Sequence, residues 1–183
     1  MTYPIEKVCE IVEGTFLNPP AESAIQYILL DSRQVIFPEF SLFFAIKGAR
    51  QDGHHFVETL YHRGVRNFIV EKKVSGEKYP AANFIQVKNT IKALQKLATF
   101  HRNQFHYPVV GITGSNGKTI VKEWLFQLLN PDYKIVRSPK SYNSQIGVPL
   151  SVWQMQPDNE LAIFEAGILR PREMGKLSPV IRA

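Results

Sequence analysis

At 183 residues, with 44% hydrophobic and 21% charged residues, the chain is long enough and apolar enough to bury a core, either as one large domain or as two small ones. Its single cysteine, Cys9, excludes an intramolecular disulfide and suits a reducing cytoplasm. The first residues lack the charged start and apolar core of a signal peptide, and no apolar run approaches the ~20 residues of a membrane span. We therefore expect a cytoplasmic protein with no membrane partner.

The net charge of +6 raises the question of a nucleic-acid partner. Lys and Arg total 22 against 16 Asp and Glu, but the excess is spread along the chain, and we find no helix-turn-helix, RNP or zinc pattern. A mildly basic surface that attracts nucleotides and phosphorylated substrates explains the charge as well. We expect no nucleic-acid partner.

The first hundred residues alternate between predicted strands and helices. Residues 5–12 have helical spacing, and Gly14 is a suitable stop. The predicted strands are 25–32, 41–48, 66–71 and 82–87, and the further helices are 54–64 and 89–104. The alternation predicts a compact α/β unit over residues 1–104, with a boundary where the last helix ends and a new strand follows Pro108.

Residues 107–125 run from an apolar strand through a glycine-rich turn into a helix. Val109, Val110 and Ile112 suit a buried parallel strand, and Trp124, Leu125, Leu128 and Leu129 form a helical apolar stripe. A strand that leads into a helix N-terminus places unpaired backbone N–H groups and the positive end of the helix dipole at one point. The pattern predicts a phosphate-binding loop.

The residues of this loop have the chemistry of an ATP or GTP site. Gly114 and Gly117 let the backbone curl around a polyphosphate, Lys118 can reach the outer phosphates, and Thr119 can help to hold Mg²⁺. The glycine spacing differs from the common P-loop pattern, because Ile112 stands where that pattern has its first glycine. The alternative is a glycine-rich strand-to-helix turn with an incidental lysine.

Downstream, the pattern continues as a strand over 133–138, a loop, a helix over 147–155 and a strand over 160–167. If these strands run parallel, the polar residues Thr113, Asn143 and Glu165 converge at one sheet edge. A buried carboxylate needs a partner, and for Glu165 we expect Mg²⁺ beside a triphosphate; the alternative is a solvated acid beyond a strand end. For Asn143, the alternative is ordinary turn chemistry.

Two other polar pairs leave a choice between binding and structural roles. His54 and His55 are adjacent but lack HxxxH or HExxH spacing, so they are expected to begin a helix rather than to bind a metal. Arg33 either bridges to a phosphate or pairs with Asp31.

Several of these segments resemble the Mur ligase family, the cytoplasmic enzymes that build the peptide of bacterial peptidoglycan. GITGSNGKT, YNSQIGVPLS and the strand-end EAG resemble the central ATPase domain, while LDSR, LFFAIKG and RQDGHHF resemble the N-terminal domain that binds the UDP end of the muramyl substrate. The resemblance implies an α/β fold: a small N-terminal UDP-substrate domain over 1–104, then a P-loop ATPase domain with a mostly parallel sheet over 105–183.

Within the family, the GVPL motif is most similar to the members that add D-alanyl-D-alanine to UDP-N-acetylmuramoyl-tripeptide. Those members usually have two adjacent asparagines, whereas here Asn143 is followed by Ser144. KSYNSQIGVPLSVW also resembles the form that is fused to an alanine racemase, which would lie downstream. The implied partners are the UDP-muramyl tripeptide, D-alanyl-D-alanine and further C-terminal domains.

The resemblance implies that ATP and Mg²⁺ are the cofactors and that the reaction proceeds through an acyl phosphate. Lys118 and Glu165 match the catalytic positions, and Thr119 and Glu165 match the Mg²⁺ ligands. The positions that match nucleotide binding are Gly114, Ser115, Asn116, Gly117, Lys118, Thr119 and Asn143. The UDP end of the substrate is matched by Ser32, Arg50 and Gln51.

Members of the family continue past the point that corresponds to Ala183, so we expect a fragment whose ATPase domain is cut short and exposes apolar surface. Two classes of function stay open. The residues belong either to an ATP-dependent amide ligase or to a module that only binds UDP-muramyl peptide. A different amino-acid-adding Mur ligase and a folylpolyglutamate-synthase-like ligase are further alternatives.

Overall fold

The computed structural model describes residues 1–48, 51–167 and 173–183. The chain divides into two compact units, residues 1–94 and 95–183. The division falls inside the helix Thr90–Arg102, whereas the sequence places the boundary just after that helix. Among the described residues, no helix is both long enough and apolar enough to cross a bilayer.

The first unit is built around a five-stranded sheet. Its elements are β1 (Tyr3–Pro4), α1 (Ile5–Ile11), β2 (Thr15–Phe16), β3 (Ala24–Ile25), β4 (Tyr27–Leu29), β5 (Ser41–Phe44), α2 (Val57–His62), β6 (Asn67–Val70), β7 (Asn83–Gln86) and the start of α3 (Thr90–Arg102). The sheet order is β2-β7-β6-β5-β4, and only β2 runs antiparallel to its neighbour. β1 and β3 form a separate antiparallel pair.

The central strands of this sheet are apolar because both of their faces are covered. All residues of β5 and β6 are buried, as expected for parallel strands packed on both sides. Phe68 stacks on Phe84 with ring centroids 5.0 Å apart and meets Phe43 edge-on at 6.3 Å. The predicted strand 66–71 is confirmed as β6, whereas the predicted strand 41–48 is present only in its first half, because β5 ends at Phe44.

The predicted strand 25–32 is wrong as a single element. It splits at Gln26 into β3, which pairs with β1, and β4, which pairs with β5. The reason is that the backbone N–H of Gln26 donates to the carbonyl of Phe40, so the chain changes partner there.

The second unit contains the predicted strand–loop–helix. Its elements are the rest of α3, β8 (Val109–Ile112), α4 (Lys118–Leu129), β9 (Ile135–Arg137), α5 (Gly147–Val152), β10 (Leu161–Glu165) and α6 (Met174–Ile181). The sheet order is β8-β10-β9 and all strands are parallel, which confirms the predicted parallel arrangement. β10 is therefore the central strand.

The prediction that β8 is a buried strand is wrong. Val110 exposes 37% of its surface, because β8 is an edge strand with one neighbour. The apolar stripe of α4 is likewise open to solvent, with Trp124 63% and Leu128 72% exposed. The buried residue of α4 is instead charged: Lys122.

Candidate functional site

The register of the sheet brings two predicted site segments to the same level. Glu165, the last residue of β10, pairs with Ile112, the last residue of β8, from which the chain enters the glycine-rich loop. Because parallel strands end at one sheet edge, the carboxylate of β10 and the loop after β8 become neighbours.

The loop turns into α4 with the backbone that its glycines permit. Gly114 has φ 135° and Gly117, the N-cap of α4, has φ 77°, a left-handed conformation that L side chains avoid. No side chain caps this helix end, and the backbone N–H of Val121 donates to the carbonyl of Gly117. The amides of the first turn before Val121 therefore face the loop without helical partners, as an anion site requires.

Lys118 lies back over this loop. Its Nζ donates to the carbonyl of Gly114 at 2.6 Å and more weakly to that of Ser115 at 3.4 Å. The ammonium group is therefore already placed at the loop, where a bound phosphate would compete with these carbonyl oxygens for it.

Asn143 reaches the loop as the parallel topology predicts. A cavity of about 160 Å³ is lined by Gly114, Ser115, Lys118, Asn143, Ser144, Gln145, Gly167 and Glu173. The carbonyl of Asn143 accepts a hydrogen bond from the N–H of Gly167 at 2.7 Å, and a Cβ at residue 167 would come within 3.0 Å of the Asn143 side chain. Thr113 is exposed and is not among the described residues that line this cavity.

Glu165 is a buried acid, so its interpretation as a solvated acid is wrong. Its side chain is fully buried, and its Oε2 accepts a hydrogen bond from Thr119 Oγ1 at 3.0 Å. This contact ties the end of β10 to the first turn of α4.

The partner of Glu165 is Lys122, which sequence reasoning missed. Lys122 Nζ lies 2.9 Å from Glu165 Oε1, and both side chains are fully buried. The ammonium group also donates to the carbonyls of Ser138, at 2.8 Å, and Lys140, and it lies 3.1 Å from Glu123 Oε1.

A sequence signal for Lys122 exists. It precedes Leu125 by three residues and Leu129 by seven, so it occupies the inward face of α4 at a position where an apolar residue is expected. A lysine on such a face needs an acid or carbonyl oxygens as partners, and Glu165 is the acid that the predicted sheet places nearby.

Thr119 and Glu165 fit a magnesium ion. Their hydroxyl and carboxylate oxygens lie 3.0 Å apart, and adjacent oxygen ligands of octahedral Mg²⁺ are separated by about 2.9 Å. In the part of the chain that the structure describes, no group of three or more His, Cys, Asp and Glu residues could hold a metal. An ion here would therefore depend on phosphate and water oxygens, which is usual for Mg²⁺.

A second candidate site lies in the first unit. A depression of about 360 Å³ is lined by Leu30, Asp31, Ser32, Arg33, Gln51 and Phe56. The structure thus brings Ser32 and Gln51 together, although they are far apart in the sequence. Arg50, the remaining residue predicted for this site, lies outside the described residues.

Of the two alternatives for Arg33, the structure contains the pairing with Asp31. Its Nη2 lies 2.6 Å from Asp31 Oδ2, and its Nε donates to Oδ1 at 2.9 Å. These hydrogen bonds lower the pKa of Asp31 to about 2. Asp31 also accepts from the backbone N–H of Arg33, which fixes the turn that carries Ser32.

His54 is engaged within the protein through both ring nitrogens. Its Nδ1 donates to Asp52 Oδ1 at 2.6 Å, and its Nε2 accepts from the backbone N–H of Glu71 at 3.0 Å. Asp52 also pairs with Lys72 at 2.6 Å, and the hydrogen bonds from Lys72 and His54 hold the pKa of Asp52 well below its usual range. These contacts give His54 a structural role in the short 3-10 helix Gly53–Phe56, which leads into α2.

Comparisons with known proteins identify relatives for both parts of the chain. A domain family described as "Mur ligase family, catalytic domain" matches residues 24–102, and one described as "Mur ligase middle domain" matches residues 112–182. A UDP-N-acetylmuramoyl-tripeptide--D-alanyl-D-alanine ligase of Bacillus subtilis is 33% identical over 177 residues, which are 95% of this chain and 38% of that protein.

Solved structures of ligases with related names also superpose on this chain. The UDP-N-acetylmuramoylalanyl-D-glutamyl-2,6-diaminopimelate--D-alanyl-D-alanyl ligase of Acinetobacter baumannii superposes with a TM-score of 0.89 at 26% identity, over 99% of this chain and 40% of that one. The MurF ligase of Thermotoga maritima, solved with ADP, superposes with a TM-score of 0.74 at 30% identity, over 85% of this chain and 35% of that one.

The chain thus spans about two fifths of the length of the relatives it matches. The matched segments include both candidate sites, the depression at Ser32 and the loop at Lys118. By sequence and by structure, the chain belongs to the Mur ligase family.

Proposed function

We propose that this chain supplies the UDP-substrate site and the phosphate-binding loop of a cytoplasmic ligase that joins D-alanyl-D-alanine to UDP-N-acetylmuramoyl-tripeptide. The names of the relatives support this reaction. The observation that carries the proposal is the contact of Thr119 with Glu165 beside a loop that holds Lys118. A phosphate loop next to a buried acid is the arrangement that an ATP-dependent ligase needs.

The chemistry that we propose is amide-bond formation through an acyl phosphate. The terminal carboxylate of the tripeptide attacks the γ-phosphate of ATP and ADP leaves. The amine of D-alanyl-D-alanine then displaces phosphate from the acyl group and loses a proton. Charge neutralisation and positioning carry most of such a transfer. The backbone amides of residues 115–119 are suited to surround the phosphates, and Lys118 can exchange the loop carbonyls for the transferred phosphoryl group.

The metal site is the second part of this proposal. Thr119 and Glu165 would hold Mg²⁺, which when bound neutralises charge on the phosphates. Asn143, held at the loop by the N–H of Gly167, is proposed to contact the nucleotide or the ion. The Thermotoga maritima relative was solved with ADP, which supports the proposal that this chain binds a nucleotide.

The depression in the first unit is proposed to hold the UDP end of the substrate. Ser32 and Gln51 offer a hydroxyl and an amide there, and Arg50 is added on the sequence alone. Because this depression is formed within residues 1–94, a module that binds UDP-muramyl peptide without turnover is the second candidate function. A fused racemase, suggested by the sequence of residues 140–153, stays a prediction.

Calorimetric titration with UDP-N-acetylmuramoyl-tripeptide and, separately, with Mg·ATP distinguishes these functions. We expect Ser32→Ala to weaken tripeptide binding alone and Lys118→Ala to weaken ATP binding alone. The matched control for Lys118→Ala is Lys134→Ala, which removes an exposed lysine of the second unit. It should change neither tripeptide binding nor ATP binding.

The outcomes separate the two candidates. ATP hydrolysis that depends on both the tripeptide and D-alanyl-D-alanine would support the ligase, whereas tripeptide binding without ATP binding would support the module. Failure to bind the tripeptide would contradict both.

A further inference from the structure

Lys122 is a fully buried charge that the proposed reaction leaves without a role. We infer that Lys122 is a positioning residue that reserves one oxygen of Glu165 for the metal and thereby favours Mg²⁺ over Ca²⁺ at the phosphate loop. The inference rests on the proposed function, because it concerns the ion that accompanies the nucleotide.

The two oxygens of Glu165 have different surroundings. Oε1 lies 2.9 Å from Lys122 Nζ. Oε2 accepts from Thr119 Oγ1 on the side of the loop. Among the described residues Oε1 accepts no hydrogen bond, so the contact with Lys122 is an ion pair that holds Oε1 by charge. Only Oε2 is left beside the hydroxyl that shares the proposed metal site.

Lys122 is itself fixed by groups that surround Glu165. Its Nζ donates to the carbonyls of Ser138 and Lys140, which lie just beyond β9. Ser138 in turn accepts from the backbone N–H of Glu165 through its Oγ at 3.1 Å. The main chain and the side chain of Glu165 are therefore tied to one short segment, which prevents the carboxylate from rotating to present both oxygens.

This arrangement distinguishes the two common divalent cations. Mg²⁺ requires near-octahedral geometry and takes single carboxylate oxygens, whereas Ca²⁺ accepts more ligands and often binds both oxygens of a carboxylate. A carboxylate limited to Oε2 suits the first ion and gives the second one ligand fewer. Removal of Lys122 releases Oε1 and should benefit Ca²⁺ more than Mg²⁺.

The test is the affinity for ATP measured by calorimetry at saturating MgCl₂ and at saturating CaCl₂, for the wild-type chain and for Lys122→Met. We expect the ratio of the two affinities to fall roughly tenfold in favour of Ca²⁺, the lower end of the effect that residues behind a metal ligand have. The ratio is informative because the loss of one positive charge acts on both ions alike. Lys134→Met, which removes an exposed lysine, should leave the ratio unchanged.

Lys122→Gln is the second variant, because an apolar residue beside a buried acid can prevent folding. Its amide can still donate to a carbonyl but carries no charge to hold Oε1, so the ratio should shift in the same direction. An unchanged ratio in a folded variant would overturn the inference while leaving the proposed function intact. Absence of ATP binding by the wild-type chain in either salt would overturn both.

Discussion

The hydroxyl of Thr119 donates to Oε2 of Glu165 across 3.0 Å, and this bond joins the first turn of α4 to the end of β10. The two residues lie 46 positions apart, yet the parallel register of β8 and β10 brings their segments to one edge. A cation that binds Oγ1 of Thr119 and Oε2 of Glu165 must displace the hydroxyl proton from this contact. The same pair therefore has a structural role without a ligand and a proposed metal-binding role with one.

Loss of the buried acid should destabilise the second unit more than loss of the acid at its surface. Glu165→Gln leaves the buried ammonium of Lys122 without its main counter-charge, and we expect a cost of about 3 kcal/mol in the free energy of unfolding. Glu123→Gln removes the other carboxylate near the same ammonium, but because Glu123 is 36% exposed the cost should stay below about 1 kcal/mol.

Tryptophan fluorescence during urea unfolding measures this difference in the second unit alone. Both tryptophans of the chain, Trp124 and Trp153, belong to residues 95–183, and Trp153 is buried. Equal losses of unfolding free energy in Glu165→Gln and Glu123→Gln would contradict the prediction that the buried pair contributes more to stability than the surface pair.

The left-handed backbone at Gly117 should make that position intolerant of a side chain. A Cβ there meets no atom within 4 Å, so the penalty for Gly117→Ala is conformational, about 1–2 kcal/mol. The strain falls on the loop, so affinity for Mg·ATP should fall as well. Gly175→Ala is the matched control: it also meets open space, but it lies in α6 and should be neutral or stabilise by up to about 1 kcal/mol. Thermal unfolding and ATP titration of both variants check this, and similar behaviour of the two would contradict it.

The sequence predicted those features that depend on local pattern and on parallel topology. β6 and β7 are apolar runs between polar turns, and Asn143 reached the loop because parallel strands end at one edge. The exposure of β8 could not be predicted from its apolar sequence, since it depends on how many neighbouring strands β8 has. The pairing of Lys122 with Glu165 also escaped, because it joins residues 43 positions apart, and a lysine in a helix is ordinarily solvated.

Buried His101 should make the second unit less stable in mild acid. Desolvation lowers its pKa to about 4, although the hydrogen bond from its Nε2 to the carbonyl of Met155 acts in the opposite direction. Between about pH 4 and the ordinary value of 6.5, the unfolded chain therefore binds more protons than the folded chain at this residue. The contribution of His101 to the free energy of unfolding is fully present above pH 6.5. It falls as the pH decreases toward 4, by about 3 kcal/mol in total.

Urea unfolding at several pH values between 4 and 7 measures this slope. His101→Gln should flatten it, whereas His106→Gln, which changes an exposed histidine nearby, should leave it as in the wild type. A slope that is unaffected by His101→Gln would assign the pH dependence to other groups.

The exposed apolar face of α4 should cause the chain to associate with itself. The face consists of apolar residues at helical spacing that are between 44% and 72% exposed: Ile120, Val121, Trp124 and Leu128. A continuous exposed apolar stripe of this kind marks an interaction or aggregation surface. Sedimentation velocity should show association that increases with protein concentration and with added sulfate, which strengthens apolar contacts. The double variant Trp124→Gln, Leu128→Gln should shift the distribution toward monomer.

The control is Ile36→Gln, because Ile36 is an apolar residue of the first unit that is 77% exposed. This variant should leave the association unchanged, which would show that the stripe on α4, rather than any exposed apolar residue, causes it. A wild-type chain that stays monomeric at every concentration would contradict the prediction.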